Sequence, residues 1–172
     1  ECVDTNFVSS VGHFVSKFEE LFAEFVGAKY AVAMVNGTAA IHVGLISLGV
    51  GKGDDVIVPN LTFVAPLNAV KYTGASTVLV DSEWDTLGMC PVALRTLIHE
   101  EYEKNEKGIL VNRCTGNLLK AIMPVHIFGN TCKIEEILDV ANEFGIEVFF
   151  RQRLRAGKRV GMTLNLEKPE RS

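Results

Sequence analysis

The sequence predicts an α/β fold in which helices pack in layers against a largely parallel sheet. Short apolar runs alternate with helical patterns along the chain, and this alternation is typical of βαβ units. Of the 172 residues, 48% are hydrophobic and 22% are charged, as in an ordinary globular domain with a sizeable core. No apolar run approaches the roughly 20 residues that a membrane helix needs, and no internal repeat is present. We therefore expect a layered domain and no membrane partner.

The first elements are predicted to be a helix and a strand. Apolar residues recur at helical spacing over residues 11–26. Ser9 or Ser10 is placed to cap this helix, and Gly27 is placed to end it. The apolar run Tyr30–Val35 then predicts a strand, which stops abruptly at an Asn-Gly pair.

The same alternation continues to residue 150. Further helices are predicted over residues 38–48, 62–72, 91–104 and 134–144. Further strands are predicted over residues 55–58, 77–80, 109–112, 118–125 and 146–150. A hairpin turn is expected at Cys114–Asn117. The glycines of Gly49–Asp55 follow a helix and precede a strand, which is the wrong order for a dinucleotide-binding loop, so we expect a plain connection there.

Charge is distributed unevenly along the chain. Residues 151–172 hold seven Lys or Arg and two Glu, a net charge of +5, whereas the preceding 150 residues hold ten basic and nineteen acidic groups, a net charge of −9. An acidic body of this kind argues against nucleic acid as the main partner.

The cysteines and histidines show no metal-binding pattern. Four cysteines lie far apart, and none forms a Cys-x-x-Cys pair; they are Cys2, Cys90, Cys114 and Cys132. This usage indicates reduced thiols in a cytoplasmic protein and neither a disulfide framework nor a zinc site.

Chemistry is expected at one edge of the predicted sheet, because ligands of such folds bind where strands end and helices begin. Four segments fall there, namely Asn36–Ala40, Pro59–Phe63, Asp81 and His126–Gly129.

The first of these segments, within VNGTAAIH, has two interpretations. A helix N-terminus exposes unpaired N–H groups with partial positive charge, so a phosphate is stabilised there, and Gly37 leaves the backbone open to it. Thr38 adds a hydroxyl donor. The alternative is a tight turn with an Asn or Thr cap and no ligand.

The other segments also have two interpretations each. Phe63 is placed either to stack on a flat ring or to fill the core. His126 is placed either to bond a ligand oxygen or shuttle protons, or to bond a neighbouring loop. Asp81 is expected to cap a turn or a helix.

Taken together, these segments resemble a known family. Residues 1–81, with VNGTAAIH and VPNLTF, and residues 121–148, with PVHIFGN, resemble the DegT/StrS-type sugar aminotransferases, which are fold-type-I enzymes dependent on pyridoxal 5′-phosphate (PLP). The segment KNEKGILVNRCTGNLLKAI looks like the extra hairpin of the branch that serves the synthesis of sugars of the legionaminic-acid type. The resemblance implies a three-layer fold, with residues 1–150 as part of the large domain.

The resemblance also implies roles for individual residues. Gly37, Thr38 and Ala39 match the cradle for the PLP phosphate, Phe63 matches the aromatic residue that stacks on the pyridine ring, and His126 matches a Val-His-x-x-Gly motif near the cofactor. The implied reaction transfers an amino group, usually from glutamate, to a keto group of a nucleotide-linked sugar, as in polysaccharide biosynthesis. The implied assembly is a homodimer.

The resemblance ends at Arg151. The family continues with an Asp that pairs with the pyridinium nitrogen and, further on, with the Lys that forms the Schiff base, but no residue here matches either of them, so no catalytic residue is assigned. We expect residues 151–172 to be an unrelated tail, frameshifted or disordered, in a fragment that is inactive alone and is marginally stable or self-associates. The alternatives are a non-catalytic module that binds phosphate or nucleotide, and an inert fragment.

Overall fold

The computed structural model describes residues 12–149 and 166–167. The helices are α1 (His13–Val26), α2 (Gly37–Ser47), α3 (Val64–Tyr72), α4 (Pro91–Glu101) and α5 (Ile134–Phe144). The strands are β1 (Asp54–Pro59), β2 (Ser76–Val80), β3 (Tyr102–Lys104), β4 (Leu110–Asn112), β5 (Leu118–Ile122), β6 (Glu147–Phe149) and β7 (Leu166–Glu167). The chain divides into two compact units, residues 1–35 and residues 36–172. Within the described residues, no helix combines the length and the hydropathy needed to cross a membrane.

The first unit contains α1, close to its predicted position. The helix begins after Gly12, and the predicted caps Ser9 and Ser10 lie outside the described residues. Gly27 ends it in the left-handed conformation (φ 74°), with its N–H bonded to Glu24 O, as the sequence predicts for a helix-terminating glycine.

The strand predicted at Tyr30–Val35 is wrong for the described structure, because this segment belongs to none of the strands. The Ala33 N–H donates instead to the Glu19 carboxylate of α1 at 2.7 Å. An apolar run supplies side chains suited to a strand, but the strand forms only where neighbouring backbone pairs with its N–H and C=O groups.

The second unit is built on a largely parallel sheet, as predicted. Four parallel strands lie in the order β2-β1-β5-β6. Strand β5 changes neighbour along its length: its first residue, Leu118, pairs with Val111 of the antiparallel β4, whereas its end pairs with β6. Strand β3 extends this hairpin antiparallel to β4, and β7 lies antiparallel to β6.

Alternate residues of β1 face two different cores, which gives the predicted three layers. Val56 and Val58 pack in the core formed with α2 and α3, on one face of the sheet. Ile57 packs in the core formed with α4 and α5, on the other face. This alternation follows from the two-residue period of a strand whose two faces are both covered by helices.

Helix α4 is shorter than predicted, because residues 102–104 form β3 and not a last helical turn. Tyr102 is extended (φ −122°, ψ 152°), and its hydroxyl donates to the carboxylate of Asp55, which is 1% exposed. The helical pattern of the sequence carries no signal of this tertiary bond.

The remaining boundaries are close to those predicted. Helix α5 has the predicted bounds and ends at Gly145 (φ 73°). Helix α3 begins two residues later than predicted, with Phe63 in an extended conformation at its N-cap. The predicted hairpin is present between β4 and β5, although β5 ends at Ile122 and not at residue 125.

Candidate functional site

The segments that follow the parallel strands β1, β2 and β5 lie at one edge of the sheet, which we call the carboxyl rim and define as residues 59–63, 81–90 and 123–130. The amide of Asn60, after β1, donates to the Asp81 carboxylate, after β2, at 2.8 Å. Ser82 Oγ donates to Asn60 Oδ1 at 3.1 Å. The Asp81 carboxylate therefore fixes the loop of the neighbouring strand, and its described hydrogen bond is not the predicted cap of a turn or a helix.

Helix α2 points its N-terminus toward the carboxyl rim. Its last residue, Ser47, lies shortly before β1 begins at Asp54, so its C-terminus lies at the amino edge of the sheet. Gly74 follows the end of α3, and a Cβ built on it would lie 3.6 Å from Lys52, which is in the connection between α2 and β1. The C-termini of α2 and α3 therefore lie at the same edge. Eleven helical residues span about 16 Å, close to the roughly 20 Å of the six residues of β1.

The start of α2 combines both interpretations of VNGTAAIH. Asn36 is the N-cap, and its Oδ1 accepts the Ala39 N–H at 2.9 Å. The Ala40 N–H donates to Asn36 O. The amides of Gly37 and Thr38, the first two of the helix, have no acceptor within it, and the partial positive charge of a helix N-terminus falls on them. Two amides and the Thr38 hydroxyl therefore suit a phosphate, whereas the Ala39 amide is already bonded.

The segment after β1 supplies an aromatic ring and an unpaired hydroxyl. Phe63 is 66% exposed, so its ring does not fill the core of the described residues. The neighbouring Thr62 Oγ1 is buried and has no hydrogen-bond partner in the described part of the chain. Buried polar atoms are rarely left unpaired, so an unpaired hydroxyl at the rim is consistent with a missing partner there.

His126, after β5, is held by the segment that precedes α5. The Cys132 N–H donates to His126 Nδ1 at 3.2 Å, and Cys132 Sγ lies 3.2 Å from the same nitrogen. The ring is half-buried, and burial lowers the pKa of His126. The predicted bond to a neighbouring loop is thus present, and Nε2 has no hydrogen-bond partner among the described residues.

Residues 83–86 form an ion-paired turn on the rim that sequence reasoning missed. Glu83 accepts hydrogen bonds from the Thr86 hydroxyl, the Thr86 N–H and the Asp85 N–H. Lys133 Nζ lies 2.8 Å from Asp85 and 3.2 Å from Glu83. The hydrogen bond from the Thr86 hydroxyl, with the other donors, lowers the pKa of Glu83 to about 2. The carboxylates of Asp85 and Glu83 raise the pKa of Lys133.

Part of this turn could have been found in the sequence. Ser and Thr hydroxyls often accept N–H groups two positions on in turns, as Thr86 does here from Gly88 at 3.2 Å. Lys133 lies 48 positions beyond Asp85, and no local signal connects the two residues.

The second unit thus carries a helix N-terminus at the start of α2, an exposed ring after β1 and a half-buried histidine after β5. Helix N-termini and the carboxyl ends of parallel strands are the places where α/β folds bind small phosphorylated ligands. Residues 1–150 match the DegT/DnrJ/EryC1/StrS aminotransferase family, and the chain belongs to this family.

Individual relatives agree with this assignment. The chain is 41% identical to a GDP-perosamine synthase of Caulobacter vibrioides over 148 residues, which are 86% of this chain and 35% of that protein. It is 38% identical to the putative pyridoxal phosphate-dependent aminotransferase EpsN of Bacillus subtilis over 148 residues, again 86% of this chain and 35% of that protein. The structure of an aminotransferase from Psychrobacter cryohalolentis superposes with a TM-score of 0.74 at 29% identity, covering 91% of this chain and 35% of that one.

The chain therefore spans about a third of the length of the curated relatives that it matches. The expected family and the three-layer α/β fold are confirmed by these comparisons.

Proposed function

We propose that this chain is part of a PLP-dependent aminotransferase that acts on a nucleotide-linked keto-sugar, with glutamate as amino donor. The observation that carries the proposal is the start of α2, where the amides of Gly37 and Thr38 have no intrahelical acceptor, within 150 residues that match an aminotransferase family. The amino-sugar product named for the Caulobacter relative supports the sugar substrate, and the name of the Bacillus relative supports the cofactor.

The start of α2 and the residues of the rim fit this cofactor. The N–H groups of Gly37 and Thr38 and the Thr38 hydroxyl would hold its phosphate, and the small side chain of Ala39 would leave the approach open. The exposed ring of Phe63 is available to stack on a pyridine ring. The Nε2 of His126 has no hydrogen-bond partner among the described residues and would be available to the cofactor. When bound, PLP supplies an electron sink, whereas the protein binds and orients it.

We further propose that the 172-residue chain alone does not turn over substrate. None of its residues matches the lysine and the aspartate that the family uses to hold and tune the cofactor. We propose the same two regions as above, residues 1–150 as part of the large domain and residues 151–172 as an unrelated tail. The free thiols of Cys90, Cys114 and Cys132 support a cytoplasmic location, and a homodimer is the proposed assembly.

A negative charge introduced at the N-cap of α2 tests whether a phosphate binds there. The change Asn36→Asp keeps an acceptor for the Ala39 N–H and adds a negative charge beside the Gly37 and Thr38 amides. Helix stability is retained, because Asp is as good an N-cap as Asn and interacts favourably with the helix dipole. PLP affinity, measured by equilibrium dialysis, falls about fivefold or more, because a second anion is placed within several ångströms of the phosphate.

The matched control is Asn105→Asp. Like the Asn36 side chain, the Asn105 side chain accepts backbone N–H groups, here from Lys107 and Ile109, but it lies in the turn between β3 and β4. Equal PLP affinities for the two variants would refute the phosphate site at α2. Binding of inorganic phosphate without binding of PLP would favour the non-catalytic phosphate-binding module.

A further inference from the structure

His126 Nδ1 lies within hydrogen-bond distance of two groups that belong to one residue, a backbone N–H and a thiol. The Cys132 N–H donates to this nitrogen at 3.2 Å, and the Cys132 sulfur lies at the same distance from it. A backbone N–H donates and never accepts, so Nδ1 must present a lone pair to it. In a neutral imidazole the proton then resides on the other nitrogen.

The thiol of Cys132 acts in the same direction. Burial raises the pKa of Cys132 to about 11, so the sulfur keeps its proton at neutral pH and faces Nδ1 as an S–H donor. A proton on Nδ1 would therefore face the Cys132 N–H, which cannot accept it, and would have only the weakly accepting thiol sulfur as a partner.

Cys132 is rigidly placed. It is 3% exposed and packs in the core formed with α4 and α5, together with Met89 and Ile137. Gly88 presses against it so closely that a Cβ on the glycine would lie 2.5 Å from Cys132 Cβ. Among charged groups, Glu83 acts electrostatically on the Cys132 thiol, and Lys133 is paired with Glu83.

We propose that Cys132 is a positioning residue whose backbone amide fixes His126 in the tautomer with its proton on Nε2. The free nitrogen of the ring is then a hydrogen-bond donor and not a general base, and it suits an acceptor atom such as a phenolate, carbonyl or phosphate oxygen. The tautomer is a property of the chain without ligand, so it stands or falls independently of the aminotransferase proposal; only the identity of the acceptor rests on that function.

The tautomer can be read directly in the 172-residue chain labelled with ¹⁵N-histidine. Long-range ¹H–¹⁵N correlation through the ring is expected to give an unprotonated signal for Nδ1 and a protonated signal for Nε2 of His126 at pH 7. The change His126→Asn assigns the signals by removing them. A protonated Nδ1 in the unaltered chain overturns the proposal without any further variant.

Two variants at position 132 separate the amide from the thiol. Cys132→Ala keeps the N–H and is expected to keep the tautomer. Replacing that alanine by its α-hydroxy analogue turns the amide into an ester, which removes the N–H and leaves the side chain unchanged. The tautomer ratio is then expected to shift toward protonated Nδ1 by about two- to tenfold, the range for loss of one ordinary hydrogen bond.

An unchanged tautomer ratio in a folded ester variant would overturn the assignment of this role to the amide. Loss of the tautomer in Cys132→Ala would also overturn it, because the thiol and not the amide would then be responsible. Far-UV circular dichroism of both variants establishes that they are folded.

Discussion

The hydroxyl of Tyr102 donates a 2.8 Å hydrogen bond to Oδ2 of Asp55, which connects the first residue of β3 to β1 although two strands separate them in the sheet. The other carboxylate oxygen of Asp55 accepts from Asn117 Nδ2 at 2.9 Å, and the same amide lies 3.3 Å from Ser76 Oγ. Burial raises the pKa of Tyr102, so its hydroxyl remains a donor at neutral pH. This buried cluster attaches the hairpin to the amino edge of the sheet, opposite the carboxyl rim.

Removing the Tyr102 hydroxyl is expected to destabilise the protein. The change Tyr102→Phe leaves Oδ2 of Asp55 buried without this donor, at a cost of about 1–3 kcal/mol. Urea unfolding followed by circular dichroism measures the change in the free energy of unfolding. Tyr72→Phe is the control, because Tyr72 is exposed on α3. Equal midpoints for the two variants would contradict the role assigned to the cluster.

The turn at Glu83 is expected to make the stability of the protein depend on pH. Hydrogen bonds hold the pKa of Glu83 at about 2, below its usual 4.5, so the folded state favours the carboxylate. Its contribution to stability is therefore fully present above about pH 4.5 and is lost as the pH falls toward 2. Glu83→Gln is expected to lower the thermal midpoint at pH 7 and to flatten its dependence on pH between these values.

The control for this change is Glu106→Gln, since Glu106 is exposed in the turn between β3 and β4. Melting curves at several pH values that superpose for Glu83→Gln and the unaltered chain would show that the turn does not contribute.

A side chain at Gly88 is expected to disrupt the rim. In Gly88→Ala the new Cβ would lie 2.5 Å from Cys132 Cβ and 3.1 Å from its Cα, so the backbone of one segment must move. Overpacking of this kind costs about 1–3 kcal/mol. Gly51→Ala is the matched control, because its Cβ would meet only Thr73 O at 4.0 Å. Chemical denaturation of both variants compares them, and a Gly88→Ala variant as stable as the control would contradict the close packing.

The exposed side of α1 is expected to drive self-association. Phe14, Phe18 and Leu21 follow one another at helical spacing and are all exposed, and a second copy of the chain can bury them. Sedimentation velocity is expected to show a weight-average mass that rises with concentration. Combining Phe18→Gln with Leu21→Gln is expected to reduce this rise, whereas Glu20→Gln is not. A monomer at every concentration would contradict the prediction.

The elements that the sequence predicted best are those whose signals are local. The bounds of α5 follow from its apolar stripe and from Gly145, the left-handed residue that ends it. The start of α2 follows from Asn36 and Gly37, which lie next to each other in the chain. Phe63 and His126 needed the structure as well, because an aromatic residue suits a core and a binding surface equally and a histidine suits a ligand and a neighbouring loop equally.

The errors occurred where a distant partner decides the outcome. Tyr30–Val35 has the composition of a strand, but strand formation depends on a neighbour that the segment itself does not contain. Residues 102–104 continue a helical pattern, yet they form a strand whose first residue bonds to Asp55, 47 positions earlier.

The sequence by itself determined the α/β class, the helices that cover the sheet and the three segments of the site that follow strand ends. These properties depend on hydrophobic period, capping residues and glycines, which act over a few positions. The tertiary structure alone decided that Cys132 faces His126 and that Lys133 pairs with Glu83 and Asp85. Such contacts join residues from separate loops, and their geometry exists only after the parallel strands have brought their carboxyl ends to one edge of the sheet.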